Sequence, residues 1–155
     1  MDSAATTGST AGTLKVVCPH CETANRVVRD RLGQGPSCGS CKQSLFPRKP
    51  FALTAANFDR HAASEVPLIV DCWASWCGPC LAMAPVYDEA AARLEPGIHL
   101  AKLDTEAEQA IAARLGIRSI PTLIAFRNGK EIARQSGAIG LPQLMQWIGT
   151  HAGAF

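Results

Sequence analysis

Trp76-Cys77-Gly78-Pro79-Cys80 is fed by an apolar run, Val66-Pro67-Leu68-Ile69-Val70, and is followed by an amphipathic segment. The run reads as a buried strand and the segment as a helix, so the two cysteines open that helix. Thiols three positions apart lie on one helical face about 5–6 Å apart at Cβ, a separation from which a disulfide can close. As a staple the bond returns little: a loop of about four residues is worth about 2 kcal/mol in the chain-entropy account. Such a pair is better suited to opening and closing. Unpaired N–H groups and the helix dipole favour a thiolate at Cys77, and Cys80, one turn in, is placed to resolve. The alternatives are a structural disulfide or half of a metal site.

Working outward, a second cysteine pattern precedes this one. Cys18-Pro19-His20-Cys21 is followed after sixteen residues by Cys38-Gly39-Ser40-Cys41. Two C-x-x-C turns at this separation point to a tetrahedral four-sulfur zinc site; two surface disulfides are the alternative. The segment is too short for a substantial core, and metal commonly substitutes in such cases. His20 lies inside the first turn and is expected to face solvent. Gly33, Gly35 and Pro36 read as a loop, and Phe46-Pro47-Arg48-Lys49-Pro50 as a linker between modules with no obvious shared structure. The expected organisation is a disordered tail over 1–13, a zinc module over 14–46, a linker over 47–50 and a second domain over 51–155.

The second domain reads as βαβαβαββα, a mixed sheet with helices on both faces. Phe51 to Leu53 is a short strand, and Thr54 caps a helix through Asn57, Phe58 and His61. Pro67 to Trp73 forms the buried strand. The helix after Cys77 gathers Leu81, Ala84, Tyr87, Ala91 and Leu94, with Met83, Val86 and Ala90 alongside; Pro85 should kink it and Glu95-Pro96-Gly97 stops it. Ile98 to Leu103 is a strand, and Ala107 to Leu115 a helix closed by Gly116. Thr122–Phe126 and Glu131–Gln135 form a hairpin about Asn128-Gly129. Leu141 to Ile148 closes the domain, with Leu144, Met145 and Ile148 inward.

Composition bounds the remaining possibilities. The 155 residues are 47% hydrophobic and 18% charged, with a net charge of +2. Residues 1–50 carry +4 and the rest −2; four thiolates and a divalent ion would bring the first half to about +2, so nothing points to nucleic acid. No apolar run approaches a membrane span. The start, Met1 to Thr13, lacks the charge and apolar core of a secretory signal. Seven cysteines without an export signal indicate catalytic or metal-bound thiols in the cytoplasm.

Val70-Asp71-Cys72-Trp73-Ala74-Ser75-Trp76-Cys77-Gly78-Pro79-Cys80 resembles the active-site segment of thioredoxin, and Ser119-Ile120-Pro121-Thr122 resembles its cis-proline loop. The resemblance covers residues from about 51 to 150. It implies a thioredoxin fold behind a small zinc-ribbon-like module, and the two together are similar to the zinc-containing thioredoxin 2 type of bacteria. The implied activity is protein-disulfide reduction, with Cys77 attacking and Cys80 resolving. Asp71 interrupts an apolar strand; a surface or strand-end position would make it incidental, but the resemblance implies a buried proton acceptor beneath Cys80. Lys102 matches the lysine partner of that carboxylate, or is a solvated edge residue. X–Pro bonds are trans by default, yet the resemblance implies a cis bond before Pro121, which would expose the Ile120 backbone to an extended substrate. Trp76, Gly78, Pro79, Ile120, Pro121, Gly137 and Ala138 would form the substrate rim. Cys72 stands where the family carries a large aromatic, and Leu81 where a basic residue is common.

The cofactors so implied are one zinc ion on Cys18, Cys21, Cys38 and Cys41 and the redox-active Cys77–Cys80 disulfide. No G-x-G-x-x-G loop is present, so no nucleotide is bound directly. Electrons would come from NADPH through thioredoxin reductase, disulfide proteins would be the substrates, and the chain would act as a monomer. An oxidase or isomerase on the same fold is the alternative within catalysis, although Gly78-Pro79 matches the reducing branch. A zinc-ribbon adaptor or chaperone is the alternative outside it. The zinc site would be either structural or an oxidant-sensitive clasp.

Overall fold

The structure, a computed structural model, describes residues 12–153. The expected tail lies outside these residues except for its end, where Thr13 already pairs with Val28. Strands β1 (Thr13–Val17) and β2 (Ala24–Val28) form an antiparallel ribbon. Alternation in β1 buries Leu14 and Val16 while Lys15 is left partly exposed. The stretch read as a loop holds a 3-10 helix, Arg29–Gln34, whose Leu32 is buried and whose end is capped by Gly35 at φ 68°. A left-handed terminus is the usual use of glycine. Each C-x-x-C turn closes in the same way. Glu22 N–H donates to Cys18 O and Lys42 N–H to Cys38 O, and both Glu22 and Lys42 stand at φ 68°.

The remaining elements follow the expected order. They are β3 (Phe51–Ala52), α1 (Phe58–Ala62), β4 (Leu68–Trp73), α2 (Gly78–Leu94), β5 (His99–Asp104), α3 (Gln109–Arg114), β6 (Thr122–Arg127), β7 (Lys130–Ser136) and α4 (Leu141–Ala152). The sheet order is β3-β5-β4-β6-β7. β3 and β4 run parallel to β5, whereas β6 is antiparallel to β4 and β7. Asn128 (φ 55°) and Gly129 (φ 81°) make the tight β6–β7 turn, as their left-handed preference requires. α3 starts later than Ala107 because the Asp104 carboxylate first takes the N–H groups of Glu106 and Ala107 in a turn.

Period-two alternation in β4 separates two cores. Ile69 faces Met83, Tyr87, Ala90 and Ala91 of α2 and Leu144 and Ile148 of α4. Leu68, Val70 and Cys72 face Phe58 of α1 and Ile111 of α3. The inward stripe of α2 is thus Met83-Tyr87-Ala90-Ala91, and Leu81 points out, 51% exposed. Counting from Met83 at 100° per residue places Leu81 off that face. α2 continues through Pro85 as one helix, with Pro85 exposed.

The two modules share more structure than the linker suggested. Val66 packs with Leu14, Val16, Leu45 and Phe46 in the ribbon's own core. Glu65 N–H donates to Lys15 O, and Lys15 N–H returns a bond to the Glu65 carboxylate at 2.7 Å. The buried His99 ring nitrogen Nε2 bonds Leu45 O at 2.7 Å, and burial holds the imidazole down to about 4. Arg48 N–H donates to Glu95 at 2.9 Å. All these contacts lie at the end of the sheet where β4 and β5 begin, opposite the end that carries the Cys77–Cys80 pair.

Candidate functional site

β4 delivers the chain to Cys77, the N-cap of α2, with Pro79 in the first turn. Cys77 and Cys80 form a disulfide with their Cα atoms 5.3 Å apart. The Cys77 sulfur accepts the Cys80 N–H at 3.2 Å, so an unpaired donor of the helix terminus is directed at it. Cys77 lines a groove of about 620 Å³ with Trp76, Gly78, Pro79 and Ile120. Cys80 is buried and does not line it. The Ile120–Pro121 bond is cis, and Ile120 O lies 3.8 Å from the Cys77 sulfur. Thr122 Oγ donates to Ser119 O at 2.7 Å, pinning that loop.

Asp71 is fully buried and shares the α2 side of the sheet with Ile69, by alternation. Neither carboxylate oxygen has a hydrogen-bond partner among the described residues. Burial pushes the group up from 3.8 to about 6, opposed by the charge of Lys102. Lys102 is the register partner of Asp71, but its ammonium sits over the Trp73 ring, 4.6 Å from the centroid. Cys72 points to the other core, and burial lifts its thiol to about 12. Gly137 N–H donates to Pro121 O at 2.9 Å; Gly137 and Ala138 are exposed at the end of β7 and are not among the groove-lining residues.

The groove's other wall escapes a reading of the sequence. Thr105, Gln109, Ala112, Ile117, Arg118 and Ser119 form it. Glu106 escapes it too: its carboxylate accepts the indole N–H of the 66% exposed Trp76 at 2.7 Å. These residues come from α3 and the loops flanking it, and apart from Ser119, which opens the Pro121 loop motif, no motif marks them. Proximity to Pro121 is the one available signal for Ile117 and Arg118.

In the N-terminal module the Cys18, Cys21, Cys38 and Cys41 sulfurs lie within 4.8 Å of one another. Cys18–Cys41 and Cys21–Cys38 approach to 3.7 and 3.6 Å. A tetrahedron with metal–sulfur bonds of about 2.3 Å has edges of about 3.8 Å, so the donor set fits such an ion. Backbone N–H groups of His20, Ser40 and Cys41 point at Cys18 and Cys38, which suits thiolates. The Cys41 N–H contributes most to lowering Cys38 to about 6, whereas burial pushes Cys18 up to about 12. His20 is exposed and outside the cluster. Among the described residues, no helix is long and apolar enough to cross a membrane.

Comparison with known proteins is consistent at both ends of the chain. A family model described as thioredoxin matches residues 49–150, and one described as the thioredoxin 2 N-terminal region, a zinc ribbon, matches 17–43. Thioredoxin C-3 of Corynebacterium nephridii is 41% identical over 134 residues, covering 86% of this chain and 92% of that protein. Thioredoxin 1 of Nostoc is 43% identical over 100 residues, or 64% of this chain and 94% of that protein. Among solved structures, a point-mutant thioredoxin from Halobacterium salinarum superposes with a TM-score of 0.63 at 26% identity, covering 70% of this chain and 96% of that one.

Proposed function

This chain belongs to the thioredoxin family, and from that premise we propose that it works as a protein-disulfide reductase with Cys77 attacking and Cys80 resolving. It is an oxidoreductase of protein disulfides; the direction and the division of labour are the proposal. The observation that carries it is the pairing of a groove-lining Cys77 with a buried Asp71, without a hydrogen-bond partner among the described residues, on the sheet side that α2 covers.

In the reduced state the Cys77 thiolate attacks one sulfur of a substrate disulfide, forming a mixed disulfide and releasing the other substrate sulfur as thiolate. The Cys80 N–H and the helix terminus stabilise the attacking charge. Substrate backbone pairs beside Ile120 as an added strand, against Trp76, Gly78, Pro79 and Pro121, with Gly137 and Ala138 completing the rim. Asp71, held near 6, takes the Cys80 proton at neutral pH. Cys80 then attacks the Cys77 sulfur, the second substrate thiolate leaves, and the Cys77–Cys80 disulfide remains. Two electrons have passed to the substrate. Lys102 tempers the Asp71 pKa through its charge. An NADPH-dependent thioredoxin reductase restores the dithiol, and all the groups named come from one chain.

The four N-terminal cysteines hold one zinc ion in a structural role, supplying stability that the small ribbon core lacks. The cytoplasm is the compartment in which such thiols persist reduced. The test is NADPH consumption with a thioredoxin reductase and a disulfide protein. Turnover should require Cys77 and Cys80; a wild-type chain that does not accelerate NADPH use refutes the reductase reading.

A further inference from the structure

The first C-x-x-C turn does more than present two sulfurs. Glu22, the residue after Cys21, stands in the left-handed region at φ 68°, a conformation that non-glycine residues seldom adopt. The turn directs its carboxylate out of the ribbon and into the thioredoxin domain. There Oε1 meets Nε2 of His61 on α1, and Oε2 accepts from Asn57 Nδ2 at 3.3 Å. Both partners are buried, His61 at 1% exposure and Asn57 at 8%. Asn57 has other bonds, to Thr54 N–H and Ala52 O. His61 does not: its Nδ1 has no partner among the described residues. Glu22 is therefore the group that keeps a buried imidazole from being wholly unsatisfied, a condition that is costly in an apolar setting. Phe51 lies tilted against His61 with ring centroids 4.6 Å apart, and Phe46 lies tilted against His99 at 4.8 Å.

We propose that Glu22 is a latch through which the metal site holds the ribbon on the thioredoxin domain, so that loss of the ion releases the ribbon and uncovers His61 and Asn57. This rests on the reading of the four cysteines as a metal site. The backbone that sets the Glu22 conformation is the backbone that aims Cys18 and Cys21, since Glu22 N–H closes on Cys18 O and Cys18 N–H on Thr23 O. One turn thus serves both the cluster and the interface. Coupling between two sites is reciprocal: an ion that fixes the turn favours the Glu22–His61 contact, and that contact favours the ion. The latch sits at the β3 edge of the sheet, where Asn57 bonds Ala52 O and His61 packs on Phe51, and none of Glu22, Asn57 and His61 lines the Cys77 groove, so it holds the interface without entering the exchange chemistry.

The test uses the full-length zinc-loaded protein, with zinc affinity read by competition against a chelating dye and the linker probed by tryptic cleavage after Arg48. His61→Phe fills the same space and touches no cysteine. It should retain one zinc per chain, bind it on the order of 10-fold more weakly, and cleave after Arg48 as fast as chelated wild type. Dithiol turnover should be unchanged. Glu22→Asn keeps a residue tolerant of the left-handed turn but shortens the side chain, and should give the same pattern if His61→Phe folds poorly. Combining the two should cost no more than either alone. Wild-type zinc affinity and wild-type resistance in both variants overturn the latch. A wild-type chain that takes up no zinc overturns the metal reading and the latch with it.

Discussion

Replacing Asp71 by Asn tests the proton acceptor through stability, independently of any substrate. In the folded chain burial holds the carboxyl at about 6 instead of its ordinary 3.8. At about 1.4 kcal/mol per pH unit, that difference corresponds to about 3 kcal/mol. The sign follows from proton counting. Between pH 4 and 6 the unfolded chain has lost the Asp71 proton while the folded chain keeps it, so stability falls as pH rises through this window. Above about 6 both states are ionised and the penalty is constant; below 4 it vanishes. Asn carries no such penalty at any pH. Urea unfolding of oxidised wild type and Asp71→Asn should therefore diverge with pH, the variant gaining about 3 kcal/mol on wild type between pH 3 and pH 8. Other titrating groups are common to both proteins and cancel in the difference. A difference that is flat with pH, or a variant that loses ground as pH rises, would refute a buried carboxyl with a raised pKa, and with it the Asp71 role.

His99 should act in the opposite direction. Its pKa is held down to about 4 by burial against the ordinary 6.5, so its contribution is intact above pH 6.5 and is lost as pH falls toward 4. His99→Gln should flatten that acid limb in unfolding experiments; an unchanged limb would place the loss elsewhere. Cys72 is fully buried with its thiol lifted to about 12, so alkylation of the native reduced protein should mark Cys77 long before Cys72 on mass-spectrometric mapping. Labelling at equal rates would contradict the burial of that strand face. Zinc removal by a chelator should unfold the ribbon while α2 and α4 stay protected in hydrogen exchange; loss of protection throughout would show that the second domain depends on the metal.

Much of the fold could be read from local signals. The apolar run before Trp76, the Asn128-Gly129 turn and the stop at Glu95-Pro96-Gly97 each carry their meaning within a few residues. The paired C-x-x-C turns do so as well. What escaped depends on distance along the chain. The ribbon strand Thr13–Val17 does alternate, but five residues next to a low-complexity tail make a weak pattern. Leu81 passes for core because it is apolar, and only the neighbours of Met83 and Tyr87 show that the stripe turns away from it. Glu22 and His61 lie thirty-nine residues apart, and a glutamate after a cysteine turn reads as surface. Asp71 is visible as a charge in an apolar strand, whereas its lack of a hydrogen-bond partner among the described residues is a property of the packed sheet. The wall from Thr105 to Ser119 is assembled by the approach of α3 to the Pro121 loop, which no window of sequence contains.

The most direct measurement of the central claim is trapping of the mixed disulfide. Reduced Cys80→Ser and Cys77→Ser proteins would each be mixed with a disulfide protein and resolved on non-reducing gels, with the junction mapped by mass spectrometry. The mechanism predicts that Cys80→Ser accumulates a covalent adduct through Cys77, the thiol that lines the groove, and that Cys77→Ser accumulates none. Equal trapping by both variants, or adducts through Cys80, would contradict it.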